Sequence, residues 1–476
     1  MSFSGDFTMD TGALDKALRL GESFDLVGRN VLIGGKKGRF YFVDGFLKDE
    51  VMEKLLEFLM KITPEQLEGV DTAEQFALRF ITYVEVAHSP GPDGVVTGVL
   101  SGQLALMMDG FTEAILMDLR TYPVRGVEEP EDDRVLRGSR DGFVETLVFN
   151  TALLRRRVRD PSLTMELFSI GTRSKTDVVV SYLSNRVDRK KLERLRKRLK
   201  AADVTALTMS QESLAEVLID RGWYNPFPKI RYTERPDAAS ACVMEGSILI
   251  LVDNTPSVMI LPTSIFDFFQ ESNDFYFPPL VGSYLRITRI VTFFLTLLLT
   301  PAWFLLVENP QYIPPWLDFI KISEPNSVPI LFQLLVIEFA VDGLKLASLN
   351  TPSMLSNSFS VVGGLILGEF AVKAGWFVPD VILYMAFVSI VNFTQPSFEL
   401  GYAFKLMRVL ILILTALFNV WGFAAGLLVV ILLLATNRTV LGGSYLYPLV
   451  PFDGHALKSL LIRKRLHTKR RRQRER

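Results

Sequence analysis

Glu338, Asp342 and Lys345 follow one another at spacings of four and three residues inside an otherwise apolar run from Ile330 to Leu349. Those offsets put all three on one face of a helix. A charge facing lipid costs on the order of 3 kcal/mol on insertion scales, so ionisable residues in such runs turn to a bundle interior or a water-filled path. A stripe of this kind binds a cation, lines a pore, or forms an internal ion pair that locks helices together. The next apolar run, Ser358 to Gly375, carries Gly363, Gly364, Gly368, Ala371, Ala374 and Gly375, with Glu369 and Lys373 four apart. Small residues let helices approach closely, which suits an oligomer interface or a narrow pore wall. Glu338, Asp342, Lys345, Gly364, Gly368 and Glu369 are therefore the candidates for an ion or solute pathway. Lys405 and Arg408 add two more charges further along.

No catalytic constellation competes with that reading. His88, His455 and His467 are scattered, and neither CxxC nor HExxH occurs. Gly34-Gly35-Lys36-Lys37-Gly38 lacks the GxxxxGK[ST] spacing of a phosphate loop. The sequence predicts no enzyme activity, no cofactor and no metal site.

The elements that would hold these charges are apolar spans. Of the 476 residues 49% are hydrophobic, and the mean hydropathy is +0.27, with the apolar residues concentrated after Arg286. A bilayer core of roughly 30 Å needs about 20 apolar residues per helix. Arg286–Val307 meets that, followed by Ile330–Leu349, Ser358–Ala374, Val378–Thr394 and a long run from Tyr402 to Thr436. Broken at Asn419–Gly422 the long run gives six segments; counted as one helix, with Ile330–Leu349 lying in the interface, it gives four but leaves Lys405 and Arg408 outside. Six places Lys345, Lys405, Arg408 and the basic tail Arg463–Arg476 on the cytoplasmic side, as positive flanks require. That tail contacts anionic membrane lipid rather than nucleic acid. The start, MSFSGDFTMDTGALDK, lacks the basic and apolar regions of a secretory signal, and Cys242 is the one cysteine.

Ahead of the spans, residues 39–221 alternate short apolar runs with charged helical stretches, which predicts mixed α/β soluble structure, expected to stay cytosolic. Ser101–Leu119 and Gly246–Leu261 both predict hairpins, and in both a glycine precedes the turn aspartate by seven residues (Gly102/Asp109 and Gly246/Asp253). The match suggests an internal repeat as readily as two unrelated hairpins. Asp141–Asp160 predicts a helix, and Val187–Lys200 a basic helix that docks Leu192, Leu195 and Leu199 and solvates its charges. Asn225–Asp237, rich in proline and charge, predicts a linker or rigid elbow. The organisation expected is thus 1–221, then 222–280 completing the cytosolic region, an all-α polytopic membrane domain over 281–440, and a basic tail over 441–476.

The elbow Pro226-Phe-Pro-Lys-Ile-Arg231-Tyr-Thr-Glu234-Arg235-Pro236-Asp237, with Glu245-Gly246, Val252-Asp253, Thr255-Pro256 and Pro262-Thr263, resembles the GerA family of spore germination membrane proteins. The resemblance runs on through Thr351-Pro352 and Gly363–Gly375 to Thr394-Gln-Pro-Ser-Phe-Glu-Leu-Gly-Tyr402. Receptor A subunits of that family typically have an aspartate-glycine turn after the elbow. Asp253-Asn254-Thr255-Pro256-Ser257 and Asn392-Phe-Thr-Gln-Pro396 instead look like the family's stage V sporulation branch. The resemblance implies a protein of the spore inner membrane acting in the exit from dormancy, with a two-part cytosolic domain before a helical membrane domain. It also implies self-assembly into ion-conducting oligomers, and association with other germination proteins or with the channel proteins that release dipicolinic acid.

Overall fold

A computed structural model of the chain describes residues 2–81, 84–121, 138–219, 224–271, 273–322, 327–350, 371–392 and 394–462. The chain forms two compact units. The first comprises Met1–Asp220, Ile230–Thr263 and Val440–Gly442, and the second comprises Arg221–Lys229, Ser264–Thr439 and Gly443–Arg476.

The first unit is a duplication. Helix α1 (Phe7–Leu18) precedes a hairpin of β1 (Leu26–Ile33) and β2 (Lys36–Val43), then α2 (Asp49–Met60), α3 (Ala73–Phe80), β3 (Val86–Ser89), α4 (Pro92–Leu100), β4 (Leu104–Met108) and β5 (Ala114–Met117). The same order recurs as α5 (Leu147–Arg157), β6 (Leu163–Ile170), β7 (Thr176–Leu183), α6 (Arg189–Lys200), α7 (Gln211–Leu218), β8 (Arg231–Thr233), α8 (Pro236–Glu245), β9 (Ile248–Val252) and β10 (Val258–Leu261). Each half is a five-stranded antiparallel sheet, ordered β1-β2-β4-β5-β3 and β6-β7-β9-β10-β8. The two hairpins with matching glycine-to-aspartate spacing are thus the last two strands of the two repeats.

Period-two alternation builds both cores. On the first sheet Leu104, Leu106 and Met108 face Leu59 of α2 and Phe76 of α3, while Ala105 and Met107 face Leu14 and Leu18 of α1 and Val95 and Val99 of α4. The second sheet does the same, with Ile248, Ile250 and Val252 toward Leu192, Leu195 and Leu199 of α6, and Leu249 and Leu251 toward Leu154 of α5 and Val243 of α8. Helices on both faces explain why all four of β4, β5, β9 and β10 are buried throughout. Gly34 and Gly35, at φ +54° and +80°, close the two-residue β1–β2 turn that right-twisted strands favour. The basic helix docks its three leucines as its spacing predicted.

Gly246 ends α8 at φ +104°, and a Cβ there would lie 3.1 Å from the Arg186 carbonyl oxygen. Gly246→Ala is expected to cost about 1–2 kcal/mol, the left-handed penalty for an L-residue, read by chemical denaturation. Gly21→Ala also has positive φ but meets nothing within 4 Å among the described residues, so a clearly larger loss at 246 separates contact from conformation.

Three expectations change. The helix predicted over 141–160 runs only Leu147–Arg157, because Asn150 turns back to bond both the amide and the carbonyl of Val144 (2.8 and 2.5 Å) and holds the preceding chain as a loop. The elbow is no free linker: Arg231–Thr233 is strand β8 at the sheet edge and Pro236 is the first residue of α8, a position where a missing N–H costs nothing. The sheet unit also ends at Thr263 rather than 280, and takes Val440–Gly442 from the chain's far end.

The second unit is helical: α9 (Asn273–Tyr276), α10 (Pro279–Glu308), α11 (Ile330–Asn350), α12 (Pro379–Asn392), α13 (Phe398–Thr436) and α14 (Gly454–Leu461), with a single helical turn at Ala371–Lys373. Among the described residues α10 and α13 are long and apolar enough to cross a membrane. The predicted segment Ser358–Ala374 lies mostly outside the described residues. Helix α13 is interrupted where the sequence suggested: Asn419 has φ +54°, ψ −131°.

Candidate functional site

Helix α11 presents its charges to α13 as one stripe. Glu338 is buried, and its carboxylate accepts from Nη2 of Arg408 and lies 3.8 Å from Nζ of Lys405. Lys405 also pairs with Asp342 and donates to the Glu338 carbonyl at 3.1 Å. Lys345 sits over the Tyr402 ring, 5.7 Å from its centroid. Nη1 of Arg408 donates to the Thr296 carbonyl of α10 at 2.8 Å, so the network joins three helices. The i, i+4, i+7 spacing on α11 meets Tyr402, Lys405 and Arg408 at i, i+3, i+6 on α13, which is what places five charges along one seam. Sequence reasoning picked out Lys405 and Arg408 as charges, but it could not pair them across some 70 residues.

Gly364, Gly368 and Glu369 lie outside the described residues. Nothing about them enters the geometry.

The seam is held by polar pins at its ends. Gln333 on α11 donates to the Val328 carbonyl (2.8 Å) and accepts from the Val378 amide (2.9 Å), tying the start of α11 to the start of α12. At the break in α13, Asn419 and Asn309 exchange amide hydrogen bonds of 2.6 and 3.1 Å. Past the break the chain folds back. Gly422 packs on the Leu414 backbone and Gly426 on Ile411, while Leu433 accepts from the Asn225 side chain and Phe227 stacks edge-on against Phe404. Residues 398–418 and 420–436 are thus two helices of a hairpin, each near the length of about 20 residues that a bilayer core demands.

A Cβ on residue 422 would stand 1.8 Å from the Leu414 carbonyl oxygen. Gly422→Ala is therefore expected to splay the hairpin and lose about 1–3 kcal/mol, seen as a lowered unfolding temperature in detergent. Gly343→Ala, which meets nothing within 4 Å among the described residues, is the matched control.

Arg286 and Arg289, at the predicted start of the first span, are buried. Both donate to Asp274 (3.2 and 3.0 Å), and Arg289 also pairs with Glu271 and donates to the Phe269 carbonyl (2.8 Å). The helix starts earlier than predicted, at Pro279, which draws both arginines into the helical core. A carboxylate twelve and fifteen residues upstream was the available signal.

The elbow motif builds the second repeat. Arg235, fully buried, grips Asp237 with two bonds (3.1 and 2.7 Å) and donates to the Ser139 carbonyl (3.0 Å). The Glu234 carbonyl accepts from the Phe143 amide. Asp253 caps α5 by accepting from the Leu147 amide at 3.2 Å, and Thr255 and Pro256 complete the β9–β10 turn. Glu245 is the last residue of α8 and Arg231 the first of β8; Pro226 belongs to the helical unit, two residues before Pro228, whose carbonyl accepts from the Tyr445 hydroxyl at 2.7 Å.

A buried network that the sequence did not announce joins the two repeats. Arg155 makes paired bonds of 2.7 and 3.0 Å to Asp25, donates to the carbonyls of Asp160 and Leu163, and shares Ser23 with the Met165 amide. Among the described residues no group of three or more histidine, cysteine or acidic side chains is placed to hold a metal ion.

A family profile described as Bacillus/Clostridium GerA spore germination protein matches residues 15–475. Stage V sporulation protein AF of Bacillus subtilis is 36% identical over 93% of this chain and 90% of its own length. The Bacillus subtilis membrane protein YfkQ is 30% identical over 92% of this chain and 85% of its own. A crystal structure of the N-terminal domain of the A subunit of the Bacillus megaterium spore germinant receptor GerK3 aligns to 55% of this chain and 96% of that domain, at 24% identity and a TM-score of 0.42.

Proposed function

Because the chain belongs to the GerA family of spore germination proteins, we propose that it is a multi-pass subunit of a homo-oligomeric ion channel, or of a channel-associated complex, in the spore inner membrane. The observation that carries this reading is the charged seam of α11 and α13. Two carboxylates, Glu338 and Asp342, pair with Lys405 and Arg408, and Lys345 lies over the Tyr402 ring, inside helices that are otherwise apolar. Apolar side chains would pack these helices at lower desolvation cost, so charges kept here point to a polar path or its gate. The Lys/Arg rule puts the sheet unit and the basic tail on the cytoplasmic side.

The closed pairing favours a second reading as well. Each carboxylate already has a cationic partner within the bundle, which suits a non-conducting A-type subunit whose sheet unit relays a signal. Ion flux through liposomes holding only the purified protein separates the two. Channel function predicts flux that changes by tenfold or more, or changes selectivity, in Glu338→Gln and Asp342→Asn, with assembly retained. Wild-type protein that stays silent, or flux indifferent to both substitutions, leaves the scaffold reading standing.

A further inference from the structure

The duplication sets α2 and α6 at equivalent places, each twelve residues long and each separated from its hairpin by five residues. Their outward faces carry opposite net charge, while the exposed pairs Glu53/Glu193 and Lys54/Arg194 keep the same sign. Position for position, Asp49, Glu50 and Glu57 of the first repeat correspond to Arg189, Lys190 and Lys197 of the second, and all six are exposed. Within their spans α2 holds four acidic residues and one lysine, whereas α6 holds eight basic residues and one glutamate.

Shape adds to charge. Beside α2 lies a cavity of about 380 Å³ whose floor is Val51, Leu55, Phe58, Phe80, Ile81 and Val84, with Glu50 and Lys54 as its charged edge. Phe58 is 63% exposed and Met60 58%. Long basic side chains suit such a floor, since their methylene stems cover apolar surface while their heads reach carboxylates at the rim.

We infer that the basic face of α6 on one copy docks on the acidic, apolar-floored face of α2 on the next copy. This rests on the self-association proposed above and names the surface that performs it. The two faces differ, so the contact is heterologous: every copy offers one of each, and the series ends only by closing into a ring. Opposed exposed charges also make the association sensitive to salt.

The test uses the full chain purified in detergent, with oligomer mass and dissociation constant read by analytical ultracentrifugation. Glu50→Lys with Glu57→Lys is expected to weaken association at least tenfold, and Lys190→Glu with Lys197→Glu to do the same. Combining all four substitutions is expected to restore it to within a few-fold, an outcome that misfolding of either parent variant does not produce. Reversal variants that associate as the unaltered chain does overturn the contact while self-association itself survives. Reversal on α6 that leaves association intact but lowers co-purifying phosphatidylglycerol overturns it in favour of a lipid-facing helix. An unaltered chain that sediments as a monomer overturns the self-association reading together with the contact.

Discussion

Arg408→Leu is expected to leave little folded protein in detergent, with a loss of about 3–5 kcal/mol in the fraction that folds. The Arg408 side chain is 4% exposed and supplies the Nη2 donor to Glu338 and the Nη1 donor to Thr296. Its removal strands a buried carboxylate whose remaining cation, the Lys405 ammonium, is 3.8 Å away and is shared with Asp342. The double variant Glu338→Gln with Arg408→Leu is expected to recover most of the loss, because the stranded charge is gone. The coupling energy from that cycle, measured by thermal unfolding, isolates the pair from the packing of the arginine stem. A single variant as stable as the parent would mean that the seam does not hold these helices together, and the path reading would then carry the whole explanation for its charges.

Arg155→Met is expected to cost a similar 3–5 kcal/mol in the sheet unit. Arg155 and Asp25 are 0% and 1% exposed, and each nitrogen of the guanidinium donates to Asp25, Ser23, Asp160 or Leu163. Loss of one partner leaves the Asp25 carboxylate with Ser23 alone among the side chains. Arg155→Lys is expected to fall between, since an ammonium cannot reproduce two parallel bonds and still reach both carbonyls. The pair bridges the repeats, so Arg155→Met should also uncouple them. Hydrogen exchange is expected to show the two sheets opening separately where the parent opens as one, and a single shared opening would refute the bridging role.

The last hairpin of the first repeat was legible because its turn is written in adjacent residues, Asp109-Gly110 with its glycine seven positions earlier, whereas the Gly34-Gly35 turn between β1 and β2 was not read as one. The duplication was legible only as a hint, since the two halves retain a common topology and few common residues beyond Gly102/Gly246, Asp109/Asp253 and the helix-starting Pro92/Pro236. The elbow misled because proline and charge mark linkers locally, whereas strand β8 exists by pairing three residues with β10, a partner more than twenty residues away. At the site, the face shared by Glu338, Asp342 and Lys345 followed from spacing alone. Their partners did not, since helical periodicity fixes the direction of a side chain and says nothing about which distant helix meets it. The break at Asn419 was legible from an Asn-Val-Trp-Gly stretch in a run too long for one span. The fold-back that makes Gly422 and Gly426 indispensable needed the structure.

Val440 and Leu441, almost wholly buried, lie in the same core cluster as Leu192 and Leu195, although β10 ends at Leu261. A ribosome that adds roughly 5–20 residues per second therefore finishes the strands of the second repeat long before it supplies the last side chains of that repeat's core. Until then the repeat carries an unfilled apolar slot, and every helix from α10 to α13 is made in the interval. Completion of the sheet unit is thereby timed to completion of the bundle, and a chain cut short within the bundle leaves behind a sheet unit with a gap in its core, the kind of incompletely packed product that cellular proteases remove.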